Sequence, residues 1–84
     1  MSISGPISSS SDAETVQQLQ LKLYSLGYLS PDAEEGVLDE QTLQAVAEFQ
    51  TRKNEKEDAG FDVVDPGDLS SVVDAATVRA IFES

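Results

Sequence analysis

The sequence predicts a small, mainly α domain: a three-helix bundle with short extended lead-ins before the second and third helices. Three observations carry this prediction. Apolar residues recur at helical spacing in three stretches, beginning near Asp12, Glu40 and Ala75. Two of these stretches are copies of each other. Val37-Leu38-Asp39-Glu40-Gln41-Thr42-Leu43-Gln44-Ala45-Val46 returns 35 positions later as Val72-Val73-Asp74-Ala75-Ala76-Thr77-Val78-Arg79-Ala80-Ile81, with Val, Asp, Thr and Ala in register. Finally, 84 residues are enough for one domain and no more.

Residues 1–11, rich in Ser, Gly and Pro, read as a disordered linker, and residues 12–84 as a single domain. The first helix starts near Ser11 or Asp12, where Ser11 with Glu14 fits a capping box and Asp12 with Thr15 offers a second one. Val16, Leu19, Leu23 and Leu26 follow at spacings of 3, 4 and 3, the stripe of a helix with one buried face. Gly27 ends it in the left-handed position that a side chain disfavours, and Tyr28 folds back on the last turn. Gln20 lies beside the stripe and reads first as a half-buried, hydrogen-bonded residue.

The second helix is expected from Glu40 to about Lys53, with Asn54 as its end. Its start is set by Asp39, a short carboxylate that accepts from the free N–H groups of the first turn and suits the positive end of the helix dipole. Thr42, at the third helical position, is placed to reach back to the cap. Thr42, Ala45, Val46 and Phe49 form the inner face. Asp74 and Thr77 repeat this start for the third helix, expected from Ala75 to about Glu83, with Thr77, Ala80 and Ile81 inward. The lead-ins Val37-Leu38 and Val72-Val73 are candidates to pair weakly with each other. Between the last two helices, Asn54 to Ser71 is irregular: solvated charge, a short extended piece with Phe61 on the core, and a turn at Asp65-Pro66-Gly67-Asp68.

Charge and missing residue types narrow the function. Sixteen acids against five bases leave a net charge of −11, which repels nucleic acid and anionic membranes. No apolar run reaches the length of a membrane span, and no basic region followed by an apolar block marks a secretory signal. There is no cysteine and no histidine, which removes thiol chemistry and the usual general base. The acids at Glu34-Glu35 and Asp39-Glu40 read as a turn and a helix start rather than as a glycoside-cleaving pair. Asp62, Asp65 and Asp68 lack the spacing of a calcium loop, so no metal site is expected. The chain reads as a monomer that is not an enzyme and needs no cofactor.

At this point the residues resemble a known family. Val16-x-x-Leu19-Gln20-x-x-Leu23-x-x-Leu26-Gly27-Tyr28-Leu29, then Gly36-Val37-Leu38-x-x-x-Thr42-x-x-Ala45-Val46-x-x-Phe49-Gln50, then Val72-Val73-x-x-x-Thr77-x-x-Ala80-Ile81 is similar to the pattern of the peptidoglycan-binding-like (PGBD-like) three-helix domain. The match spans about Val16 to Phe82 and is specific as a combination. It departs from the family at Glu35 for an aspartate, at Asp39 and Asp74 for glycines, at Ser71 for a glycine, and in the longer connection from Asn54 to Ser71.

The resemblance implies a non-catalytic module that binds peptidoglycan or a muropeptide in the cell envelope or outside the cell, and that targets a linked cell-wall hydrolase. Within that reading Gln20, Tyr28, Gln50 and Arg79 are the candidate contacts. Tyr28 offers a ring for stacking, the glutamines offer amides, and Arg79 offers a guanidinium for a carboxylate. Each also reads as packing or solvated surface. The alternative is a protein-docking module that keeps the fold and has lost the wall ligand, motivated by the acidic surface and the long connection.

Overall fold

The protein's structure is a computed structural model that describes residues 5–84. The first four residues of the expected linker lie outside the described residues. The elements in order are α1 (Ala13–Ser25), α2 (Glu40–Glu57) and α3 (Ala75–Phe82), and α1 packs against both α2 and α3. The mainly α three-helix bundle expected from the sequence is the observed fold.

α1 begins after Asp12, but the Asp12 side chain makes no capping bond. Neither of the two expected capping boxes forms. Instead a serine turn precedes the helix: the Ser11 N–H donates to the Ser8 carbonyl at 3.0 Å, and the Ser8 N–H donates to Ser11 Oγ at 3.0 Å. The Ser11 hydroxyl is thus used one turn earlier than a cap requires. The other end follows the expectation. Gly27 sits at φ 87°, its N–H donates to the Tyr24 carbonyl, and the Tyr28 N–H donates to the Leu23 carbonyl at 2.9 Å. This pair of bonds is the Schellman arrangement, which turns Tyr28 back over the helix end.

α2 and α3 start with the same cap. The Thr42 N–H donates to Asp39 Oδ1 at 3.0 Å, and the Thr77 N–H donates to Asp74 Oδ1 at 2.7 Å. The threonine hydroxyls do not reach back to the cap. Both side chains are buried and face the preceding helix. α2 runs one turn beyond the expected end at Asn54. Its last turn is built from Glu and Lys, straight-chain residues that favour helix, and Lys53 pairs with Glu57 at 2.8 Å across one turn. The helix stops at Asp58, which takes the left-handed conformation (φ 52°, ψ 43°) and donates its N–H to the Asn54 carbonyl. The Asn54 side chain clamps the returning chain, accepting from the Phe61 N–H at 2.7 Å and donating to the Phe61 carbonyl at 3.0 Å.

The lead-ins do not pair with each other. Val73 pairs instead with Ile7 in an antiparallel bridge, with N–H···O distances of 2.8 and 2.9 Å in the two directions. Ile7 is fully buried. The part of the expected linker from Ile7 onward is therefore built into the fold. A chain this short buries only about 60–65% of its extended surface, and Ile7 supplies an apolar side chain where the three helices alone leave the core uncovered. It joins Val16, Leu19 and Leu23 of α1, Leu43, Val46 and Phe49 of α2, and Val78 and Ile81 of α3. Leu26, expected at the end of the α1 stripe, is only half-buried and packs at the margin.

Gly36 stands at the join between the first connection and α1. Its φ is 79°, and a Cβ there would approach Ala13 Cβ to 3.1 Å. Both the left-handed backbone and the close approach disfavour a side chain.

Candidate functional site

Of the four residues expected to contact a ligand, two are taken up inside the protein. Gln20 and Gln50 are buried, and both ends of each amide are engaged. Gln20 Nε2 donates to the Glu34 carbonyl at 2.8 Å, the Val37 carbonyl at 3.0 Å and Thr42 Oγ1 at 3.0 Å, and its Oε1 accepts from the Gly36 N–H at 2.8 Å. Gln50 Nε2 donates to the Asp62 carbonyl and to Thr77 Oγ1, each at 3.0 Å, and its Oε1 accepts from the Val64 N–H at 2.8 Å. The two sets are the same device used twice. A glutamine on one helix grips the connection that follows and the first-turn threonine of the next helix. A buried amide needs such partners, because desolvated donors and acceptors left unmade cost more than the bonds contribute.

These staples shape the surface next to them. By holding the connection from Gly27 to Asp39 against α1, the Gln20 staple leaves a shallow groove between the first residues of that connection and the outer face of α2. The groove has a volume of about 280 Å³. Tyr28, Ser30 and Asp32 form one wall, Gln41, Gln44 and Glu48 the other, and Ala45 lies between them. Tyr28 is the one sequence-predicted contact residue that lines it. Its ring meets Phe49 edge-on, with centroids 5.7 Å apart and planes at 84°. The Arg52 guanidinium lies over the same ring at 5.6 Å and pairs with Glu48 at 3.2 Å. Tyr28 is thereby held by its back and presents its remaining surface to the groove.

Arg79 is exposed on α3 and does not line this groove. Gln41, Gln44 and Glu48 were not singled out from the sequence. Their spacing of 3 and 4 places them on one stripe of α2, flanking the buried Ala45. That stripe was the available signal. It was legible only as solvated surface until the folded connection supplied the opposite wall.

Two acids of the long connection between α2 and α3 serve its own turns. Asp65 accepts from the Gly67 N–H at 2.9 Å, and Asp68 accepts from the Ser70 hydroxyl at 2.6 Å and the Ser70 N–H at 3.0 Å. The hydroxyl bond first, and the backbone bond second, hold the Asp68 carboxyl below its ordinary range. Among the described residues no group of three acid, histidine or cysteine side chains converges as a metal site would require.

Comparison with known proteins agrees with the geometry. The sequence pattern of the family described as "Putative peptidoglycan binding domain" matches residues 12–59. Neither a curated protein nor a solved structure matches the chain. The matched segment contains α1, its Schellman turn, the first glutamine staple, the capped start of α2 and every residue named above as lining the groove. With more than half of its length matched, the chain belongs to the peptidoglycan-binding domain family.

Proposed function

We propose that this chain is a non-catalytic module that docks a muropeptide or glycan segment of peptidoglycan in the groove between the α1–α2 connection and α2. In this role it holds a linked cell-wall hydrolase near its substrate in the cell envelope. The observation that carries the reading is that the whole groove lies inside the segment matched by the family. Its chemistry suits such a ligand. Tyr28 offers an immobilised ring edge for a sugar or peptide face, and the exposed amides of Gln41 and Gln44 complement acetamido and peptide groups. The absence of histidine and cysteine from the chain agrees with binding rather than turnover.

The test is co-sedimentation with purified sacculi. The chain is expected in the pellet, and Gln44→Trp, which fills the groove from an exposed position, is expected to weaken retention about tenfold, ~1.4 kcal/mol. A chain that stays in the supernatant would overturn the proposal.

A second reading has its own observation. Leu21 and Tyr24, both more than half exposed, flank a small notch with Pro31 and Glu35. On a surface of net charge −11 this notch suits a basic protein partner with an apolar anchor. Binding to a catalytic domain of the same protein that vanishes in high salt, without sacculus binding, would favour that docking role.

A further inference from the structure

Among the ion pairs and cation–aromatic contacts of the described residues, those of Arg52 join two elements. Its guanidinium lies 5.6 Å from the centre of the Tyr28 ring and bonds Glu48 Oε1 at 3.2 Å. Tyr28 stands in the groove wall formed by the α1–α2 connection, and Glu48 in the wall formed by α2. Arg52 itself does not line the groove. One side chain thus ties the two walls together from outside. Lys53 shows the contrast. It lies over Phe49 at 5.7 Å and pairs with Glu57 at 2.8 Å, but both partners are on α2, so it ties that helix only to itself.

The tie acts on side chains that have freedom to lose. The turn at Gly27 fixes the Tyr28 backbone but not its ring. Buried Phe49 supports that ring on one side, edge-on at 5.7 Å. Arg52 covers it from another direction and leaves it fewer orientations. At the other end the Glu48 side chain is 48% exposed, and a carboxylate on a flexible stem stays mobile unless a partner holds it. Arg52 is that partner, one turn along the same helix. A planar guanidinium suits both tasks, with its face for a ring and its edge for a carboxylate. A ligand that enters a groove whose walls are already placed loses less entropy on binding.

We propose that Arg52 is a positioning residue of the groove, which holds Tyr28 and Glu48 in their binding arrangement without touching the ligand. This rests on the binding role proposed for the groove. Exposed contacts of this kind add little to folding stability, so the role shows in affinity rather than in the melting temperature.

The test is a titration of the full 84-residue chain with purified sacculi, read by co-sedimentation, beside a thermal melt of each variant. Arg52→Met keeps an unbranched stem and removes the charge and the plane. The half-saturating sacculus concentration is expected to rise about threefold. The melting midpoint is expected to stay within about 4 °C of the unsubstituted chain. A tie needs both ends, so in a Glu48→Ala background Arg52→Met is expected to cost less than about 1.5-fold more. Unchanged half-saturation in Arg52→Met would overturn the positioning role and leave the binding role standing. An equal loss in both backgrounds would mean that Arg52 meets the ligand itself, and would also overturn it. So would a midpoint lowered by more than about 4 °C, which would make Arg52 a residue of the fold. An unsubstituted chain that stays in the supernatant would overturn the binding role and the positioning role together.

Discussion

Replacing Gln50 with leucine would leave the Val64 N–H, the Asp62 carbonyl and the Thr77 hydroxyl without their partner in the interior. The expected loss is about 3 kcal/mol, because each unmade buried bond costs ~1–3 kcal/mol and the groups relax only in part. Urea unfolding monitored by circular dichroism checks this, and a loss below about 1 kcal/mol would remove the staple from the account. The sequence displays these glutamines plainly but not their role. An amide beside an apolar stripe looks the same whether it faces a ligand or a carbonyl. The partners of Gln20 and Gln50 lie 12 to 27 residues away along the chain, and no local pattern connects them. Tyr28 is the opposite case. The glycine before it sets a helix end that turns the ring back, so its place at the groove wall followed from a local rule.

The helices separate local from non-local causes in a second way. Asp39 and Asp74 accept capping bonds and Asp12 does not, although all three stand directly before a helix and three residues before a threonine. Asp39→Ala and Asp74→Ala are each expected to cost about 1 kcal/mol, and Asp12→Ala less than about 0.5 kcal/mol. Thermal melts of the three variants side by side check the ranking, and equal losses would contradict the cap geometry. The starts and inner faces of α2 and α3 were legible because a cap and an apolar stripe are written in neighbouring residues. The last turn of α2 was not, because a run of Glu and Lys reads equally as solvated loop or exposed helix. The structure decides for helix through the Lys53–Glu57 pair and the Asn54 clamp on Phe61.

For the whole molecule the largest departure is at the N-terminal side. Ile7 is fully buried and bridges to Val73, which ties the first residues of the domain to the strand-like lead-in of α3. Ile7→Ala is expected to destabilise the protein by about 2–4 kcal/mol through loss of buried surface and the cavity left behind. Had these residues been only a linker, the same substitution would leave the denaturation midpoint unchanged. Calorimetry of the full chain distinguishes the two.

Composition and local pattern determined the fold class, the two capped repeat units, the end of α1 and the family to which the chain belongs. Those properties rest on contacts between neighbours in sequence, where spacing alone states the geometry. Tertiary structure alone decided that Ile7 belongs to the core, that Val73 pairs with Ile7 rather than with the other lead-in, and that Gln20 and Gln50 are internal staples. The physical reason is common to all three. A buried polar group or an unpaired strand edge takes the nearest partner in space, and that partner is chosen only when the helices have packed.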